Sequence, residues 1–126
     1  MPKETITSPN LPAPKGPYSP AIRANGFVFV SGQGPVDPKT GEVFRGDINQ
    51  QTRMVLENIR AILDAAGCSM AKVVKSNVYL ADIGDFAAMN EVYAGFFPSD
   101  PPARTTIQAA KLPLDIGVEI DVIALE

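Results

Sequence analysis

The chain has 126 residues, 45% hydrophobic and 20% charged, with a net charge of −3 and a pI near 4.9. Those totals suit one domain over residues 1–126 with a real core, and the lack of any basic cluster excludes a protein whose main work is gripping phosphate backbones. With no histidine and one cysteine, Cys68, there is no internal disulfide, no cysteine- or histidine-based metal site and no ordinary proton shuttle for neutral pH.

The opening Met1–Thr5 lacks an apolar signal region and no run is long enough to span a bilayer, so the expectation is a cytoplasmic protein without membrane contact. Residues 1–20 are proline-rich and read as an extended arm rather than an element, with residues 1–15 as the arm proper. Within it Tyr18 stands between Pro17 and Pro20, placed either to pack on a sheet edge or to hold a hydroxyl toward a site.

Asn25-Gly26 is a strong two-residue hairpin signal, because both turn positions need positive φ. It joins a strand at Ala21–Ala24 to an apolar one at Phe27–Ser31. Ser31-Gly32-Gln33-Gly34-Pro35 follows; with Pro35 in place of a helix start it is no dinucleotide fingerprint, and it marks a close backbone approach. Asp37–Gly41 reads as a turn and Glu42–Phe44 as a short return strand.

Asp47 as cap, Gln50 three residues on and Gly67 past the end bracket a helix whose apolar stripe is Ile48, Met54, Val55, Ile59, Ile62, Leu63 and Ala66. Lys72–Leu80 reads as a strand. A second helix starts at Asp82 or Asp85 and runs to about Phe97, carrying Asn90 at a polar position.

Pro101-Pro102 forbids a helix and hands the backbone over extended, and Ala103–Ala109 continues as a β-branched strand. Alternation puts Arg104, Thr106 and Gln108 on one face and Thr105, Ile107 and Ala109 on the other. A guanidinium there offers a fork of donors matching a carboxylate, and equally suits an ion pair at the sheet rim. Lys111–Gly117 is a turn region, and Val118–Leu125 alternates with Val118, Ile120, Val122 and Ala124 on one side and Glu119 and Asp121 on the other. The layout is α+β, a mixed sheet with two helices on one face. Val28, Val30, Ile107 and Ile123 make the opposite face too apolar for water, which implies self-association.

Several segments resemble, in order, the Rid (YjgF) family: Gly16-Pro17-Tyr18-Ser19, Val30-Ser31-Gly32-Gln33, Pro38–Gly41, Asn58-Ile59 with Ala65-Ala66-Gly67, Asn90 with Tyr93 and Phe96-Phe97, Pro102–Thr105, and Glu119-Ile120. The resemblance covers about Gly16 to Leu125. It implies a chorismate-mutase-like α+β fold and a homotrimer whose sheets form a central barrel, with three clefts between subunits. It also implies hydrolytic deamination of reactive 2-enamine or 2-imine acids, such as 2-aminoacrylate and 2-iminobutyrate, to 2-keto acids and ammonia.

On that resemblance Arg104 grips the substrate carboxylate, Glu119 positions the attacking water, and Tyr18 completes the catalytic group. Ser31, Gly32 and Asn90 match cleft residues, and Thr106 stands where many relatives carry a cysteine. Gly34 replaces a commoner aliphatic residue, with consequences for cleft size. An imine is already electrophilic, so positioning and proton placement suffice, and no cofactor or metal is required. The alternatives are a carboxylic-acid binding or regulatory protein and, less favoured by the charge, an endoribonuclease.

Overall fold

Asn25 and Gly26 take positive φ, 52° and 85°, and reverse the chain between β2 (Ala21–Ala24) and β3 (Phe27–Gln33) as the hairpin signal requires. The computed structural model describes residues 2–126. Its other elements are β1 (Glu4–Ile6), α1 (Ile48–Ala65), β4 (Val73–Leu80), α2 (Phe86–Phe96), β5 (Ala103–Gln108) and β6 (Val118–Leu125). The sheet runs β1-β2-β3-β6-β4-β5, and only the β4–β5 pair is parallel.

The capping box at the start of α1 forms as its sequence demands. The Asp47 carboxylate accepts the Gln50 N–H at 2.8 Å, and the Gln50 side chain accepts the Asp47 N–H at 3.1 Å. Gly67, at φ 73°, turns the chain away beyond the other end. Val55, Leu56, Ile59, Ile62 and Leu63 of α1 are fully buried. They lie against the Val118, Ile120, Val122 and Ala124 face of β6, all but closed to solvent, with Met89 of α2 beside them. Asn58, buried on α1, donates to the Val36 carbonyl at 2.8 Å and so ties the loop after β3 to the helix.

Three expectations are corrected and one is narrowed. The arm contains a strand: β1 pairs with β2, Ile6 is buried, and Glu4 meets Arg23 at 2.8 Å. Glu42–Phe44 makes a single bridge, Val36 to Val43; Pro35 accepts the Phe44 N–H but has no N–H of its own to carry the ladder further. Of the two starts open for the second helix the later is taken: Asp82 caps a 3-10 turn, Ile83–Asp85, by accepting the Gly84 N–H, and α2 begins at Phe86, directly after Asp85. Val28 and Val30 belong to the core under the helices. The outer face carries Phe29, Ile107, Ile123 and Leu125, with Ile22 opposite Phe29 and Phe27 opposite Leu125, because alternation along β3 turns Phe29 outward.

Candidate functional site

After Pro101 and Pro102 the backbone joins β5 beside β4, with Arg104 opposite Ser76 and Thr106 opposite Val78. Ser76 and Val78 are fully buried, so Arg104 and Thr106 share the face covered by α2. The Arg104 guanidinium carbon lies 4.7 Å from the Tyr93 ring centre and 5.5 Å from that of Phe86. Such stacking fixes a cation while leaving its hydrogen-bonding edge free. Arg104 belongs to none of the ion pairs among the described residues, so the rim ion pair is not what this arginine makes.

Around it Asn90 Oδ1, Tyr93 OH, Thr106 Oγ1 and Ser76 Oγ are buried without hydrogen-bond partners in the chain. Tyr93 stands close to Ser76, yet the two hydroxyls do not reach hydrogen-bond geometry. Burial raises the Tyr93 pKa above its ordinary value, with Ser76 and the Arg104 charge working against the rise. Asn90, Tyr93, Pro101, Pro102 and Arg104 border an open depression of about 350 Å³. An unpaired buried polar atom costs about 1–3 kcal/mol, so four around one free guanidinium mark a place suited to a polar, anionic ligand.

A second group forms where β3 ends and β6 begins. Ser31 donates its hydroxyl proton to the Ser19 carbonyl at 2.6 Å, and its N–H goes to Pro20 O at 3.0 Å, so the end of the arm is fastened to β3. Tyr18, half exposed, accepts the Lys15 N–H at 3.2 Å. The pairing of β3 with β6 shifts register between Val30 and Gln33, and Gly32 falls in that irregularity. A Cβ at Gly32 would stand 3.0 Å from the Glu119 carboxyl carbon and closer still to one of its oxygens. Glycine is what lets the carboxylate lie on the strand.

Half-burial, and then the negative charge of Asp121, raises the Glu119 pKa. Asp121 is itself held by Asn77 Nδ2 at 2.9 Å. Tyr18, Ser31, Gly32 and Glu119 all line a cavity of about 500 Å³, roofed by arm residues from Pro12 to Lys15 and by the Pro113–Ile116 turn.

The chain thus sorts the expected residues into two groups. Glu119 stands opposite Tyr79 on the outer face, whereas Arg104 stands opposite Ser76 on the helix face. Tyr18, Ser31, Gly32 and Glu119 come together, and so do Asn90 and Arg104, with Thr106 on the same face but outside the depression, and the two groups lie on opposite sides of the sheet. Phe86 and Tyr93 were given no role at the site from the sequence; their spacing with Asn90, at four and then three residues, is the signal that all three share the face toward Arg104. No group of three or more His, Cys, Asp or Glu among the described residues is placed to hold a metal ion, and no helix is long and apolar enough to cross a membrane.

Residues 8–126 match the family described as endoribonuclease L-PSP. A RutC family protein of Pyrococcus horikoshii is 56% identical over 122 residues, covering 97% of each chain. Reactive Intermediate Deaminase A of Arabidopsis thaliana, a chloroplastic protein, is 45% identical over 97% of this chain and 65% of its own. The crystal structure of Escherichia coli TdcF with bound serine superposes with a TM-score of 0.92 at 40% identity, covering 98% of each chain. With its six-stranded mixed sheet, its two helices and a match over nearly its whole length, the chain belongs to the Rid (YjgF) family of reactive intermediate deaminases and their relatives.

Proposed function

We propose that the protein hydrolyses 2-imino acids, and the 2-enamine acids that tautomerise to them, to 2-keto acids and ammonia. The observation that carries this reading is the unpaired Arg104 guanidinium stacked on Tyr93, a preformed holder for a carboxylate. TdcF, which resembles this chain, binds serine, itself a small carboxylate, and the deaminase relative bears the activity in its name.

In this reading Glu119, its pKa raised by burial and by Asp121, takes a proton from water as the oxygen attacks the imine carbon. The proton passes to the imine nitrogen, giving a carbinolamine. Collapse of that intermediate forms the carbonyl, breaks the C–N bond and releases ammonia. Ser31, whose proton is already given to Ser19, presents only acceptor lone pairs and suits the nitrogen's N–H groups. The chemistry asks for no metal or cofactor.

Arg104 and Glu119 lie on opposite sheet faces, so one substrate meets both only between copies. A homotrimer with its sheets turned inward into a barrel, Arg104, Asn90 and Thr106 from one copy facing Tyr18, Ser31, Gly32 and Glu119 from the next, accounts for that division and for the apolar outer face. A net charge of −3 and the absence of histidine weigh against RNA cleavage.

The test is ammonia and keto-acid release from 2-aminoacrylate or 2-iminobutyrate generated in situ. Arg104→Ala is expected to lower kcat/KM by about 100-fold or more, the scale of truncating one partner of a desolvated charge pair. No acceleration by the folded wild-type protein rejects hydrolysis and leaves a carboxylic-acid binding protein.

A further inference from the structure

The turn between β5 and β6 holds two consecutive non-glycine residues in left-handed backbone, Leu114 at φ 63° and Asp115 at φ 52°. Each costs an L-residue about 1–2 kcal/mol, and such conformations persist where the surroundings hold them. Here Arg45 supplies the hold. It donates through Nη2 to Leu114 O at 2.9 Å and through Nη1 to Asp115 O at 3.2 Å. Beyond the turn the Gly117 N–H is fixed by Gln51 Oε1 at 2.9 Å. A turn clamped at both ends aims one side chain. Leu114, 45% exposed, borders the cavity that contains Glu119, beside Pro113 and Ile116.

That cavity has a polar part and an apolar part. Gly32 carries the Glu119 carboxylate, and two residues on, Gly34 meets Ile116, whose Cδ1 would be 2.8 Å from a Cβ there. Ile116 thus lies toward one side of the carboxylate, past the end of β3, with Val36 and Leu114 also lining the wall. Within one chain the cavity measures about 500 Å³, which leaves room beside the carboxylate for more than a two-carbon side chain.

Building on the imine-hydrolysis reading, we propose that this chamber selects 2-imino acids with an apolar side chain of three or four carbons. Leu114 is its specificity-determining wall, and Arg45 is the residue that positions Leu114.

Straight-chain 2-oxo acids from pyruvate to 2-oxohexanoate, titrated by calorimetry, read the chamber without requiring turnover. Imines of the same lengths, generated in situ, read kcat/KM. Affinity is expected to rise about fourfold per added methylene, the factor for burying one such group. Leu114→Gly removes the wall and relieves the positive φ, so its melting temperature should hold while the six- to three-carbon kcat/KM ratio falls about tenfold. Arg45→Ala should lower the same ratio by raising KM for the six-carbon imine with kcat little changed.

Affinity flat or falling with chain length overturns the substrate class. A ratio unmoved in both variants overturns the roles of Leu114 and Arg45. Rising affinity with no imine turned over supports the chamber and rejects the hydrolysis reading instead.

Discussion

Gly32 and Glu119 behave as one unit, and each has a separate consequence. A methyl at Gly32 meets the end of a flexible side chain rather than backbone, so Gly32→Ala should cost little stability. It must nonetheless push the carboxylate aside, and a displacement near 1 Å at a reacting group costs about 100-fold in rate. Kinetics of that variant beside its denaturant midpoint separate the two effects; equal losses in both would contradict the argument. Glu119 also sets a pH dependence. Its folded pKa is raised from the ordinary 4.5, first by burial and then by Asp121, so the folded chain holds that proton more tightly than the unfolded chain does. The contribution to stability is therefore full below pH 4.5 and is lost as pH rises through the raised value. Glu119→Gln should flatten that slope in denaturant midpoints measured from acid to neutral pH. For the proposed reaction, loss of rate in acid should begin above pH 4.5, since the base must be ionised to take the proton. At this scale the sequence was partly legible. Alternation placed Arg104 and Thr106 on one face correctly, but that the face carries aromatic rings depends on how α2 crosses β5, which no local pattern encodes.

Among the elements, α1 is the one the sequence states most fully, because cap, stripe and stop are all local signals. Removing the cap in Asp47→Ala should cost about 1 kcal/mol, seen as a fall in melting temperature of about 4 °C. No change would mean that packing of the buried face, rather than the cap, fixes the first turn. The β2–β3 hairpin was equally readable from Asn25-Gly26. β1 was not. Glu4-Thr5-Ile6 is short and shows no period of its own, and it becomes a strand only because β2 offers it an edge and Ile6 finds the core. The start of α2 was legible only to within two candidates: Asp82 satisfies the local rule for a cap, but the rule is spent on a 3-10 turn, and Asp85 is the residue at the head of α2.

At the scale of the whole molecule, the separation of Arg104 from Glu119 by the thickness of the sheet governs what an assembly must do. In the proposed trimer, Arg104→Ala and Glu119→Gln subunits are each inactive alone, but mixed and reassembled they should regenerate about a quarter of the sites, because each cleft draws one residue from each of two neighbours. No recovery would place both residues in one chain's cleft. The outer face was legible as apolar, while its membership was not. Val28 and Val30 were assigned outward because a near-continuous apolar run hides which residues alternate inward, and only the pairing of β3 with β6 decides it.

β6 lies in the middle of the sheet, between β3 and β4, yet follows both in the chain. During synthesis the β1–β3 ladder and the β4–β5 pair therefore have no common partner until Val118–Leu125 has been made. Until then α1 can meet α2 and β3, but the β6 face that closes the middle of the core is missing, and the nascent chain depends on whatever shields it at the ribosome. A stalled nascent chain ending before Val118 should remain open to protease even when fully emerged, and one carrying β6 should become resistant; protection of the shorter chain would show that the two halves of the sheet can fold apart.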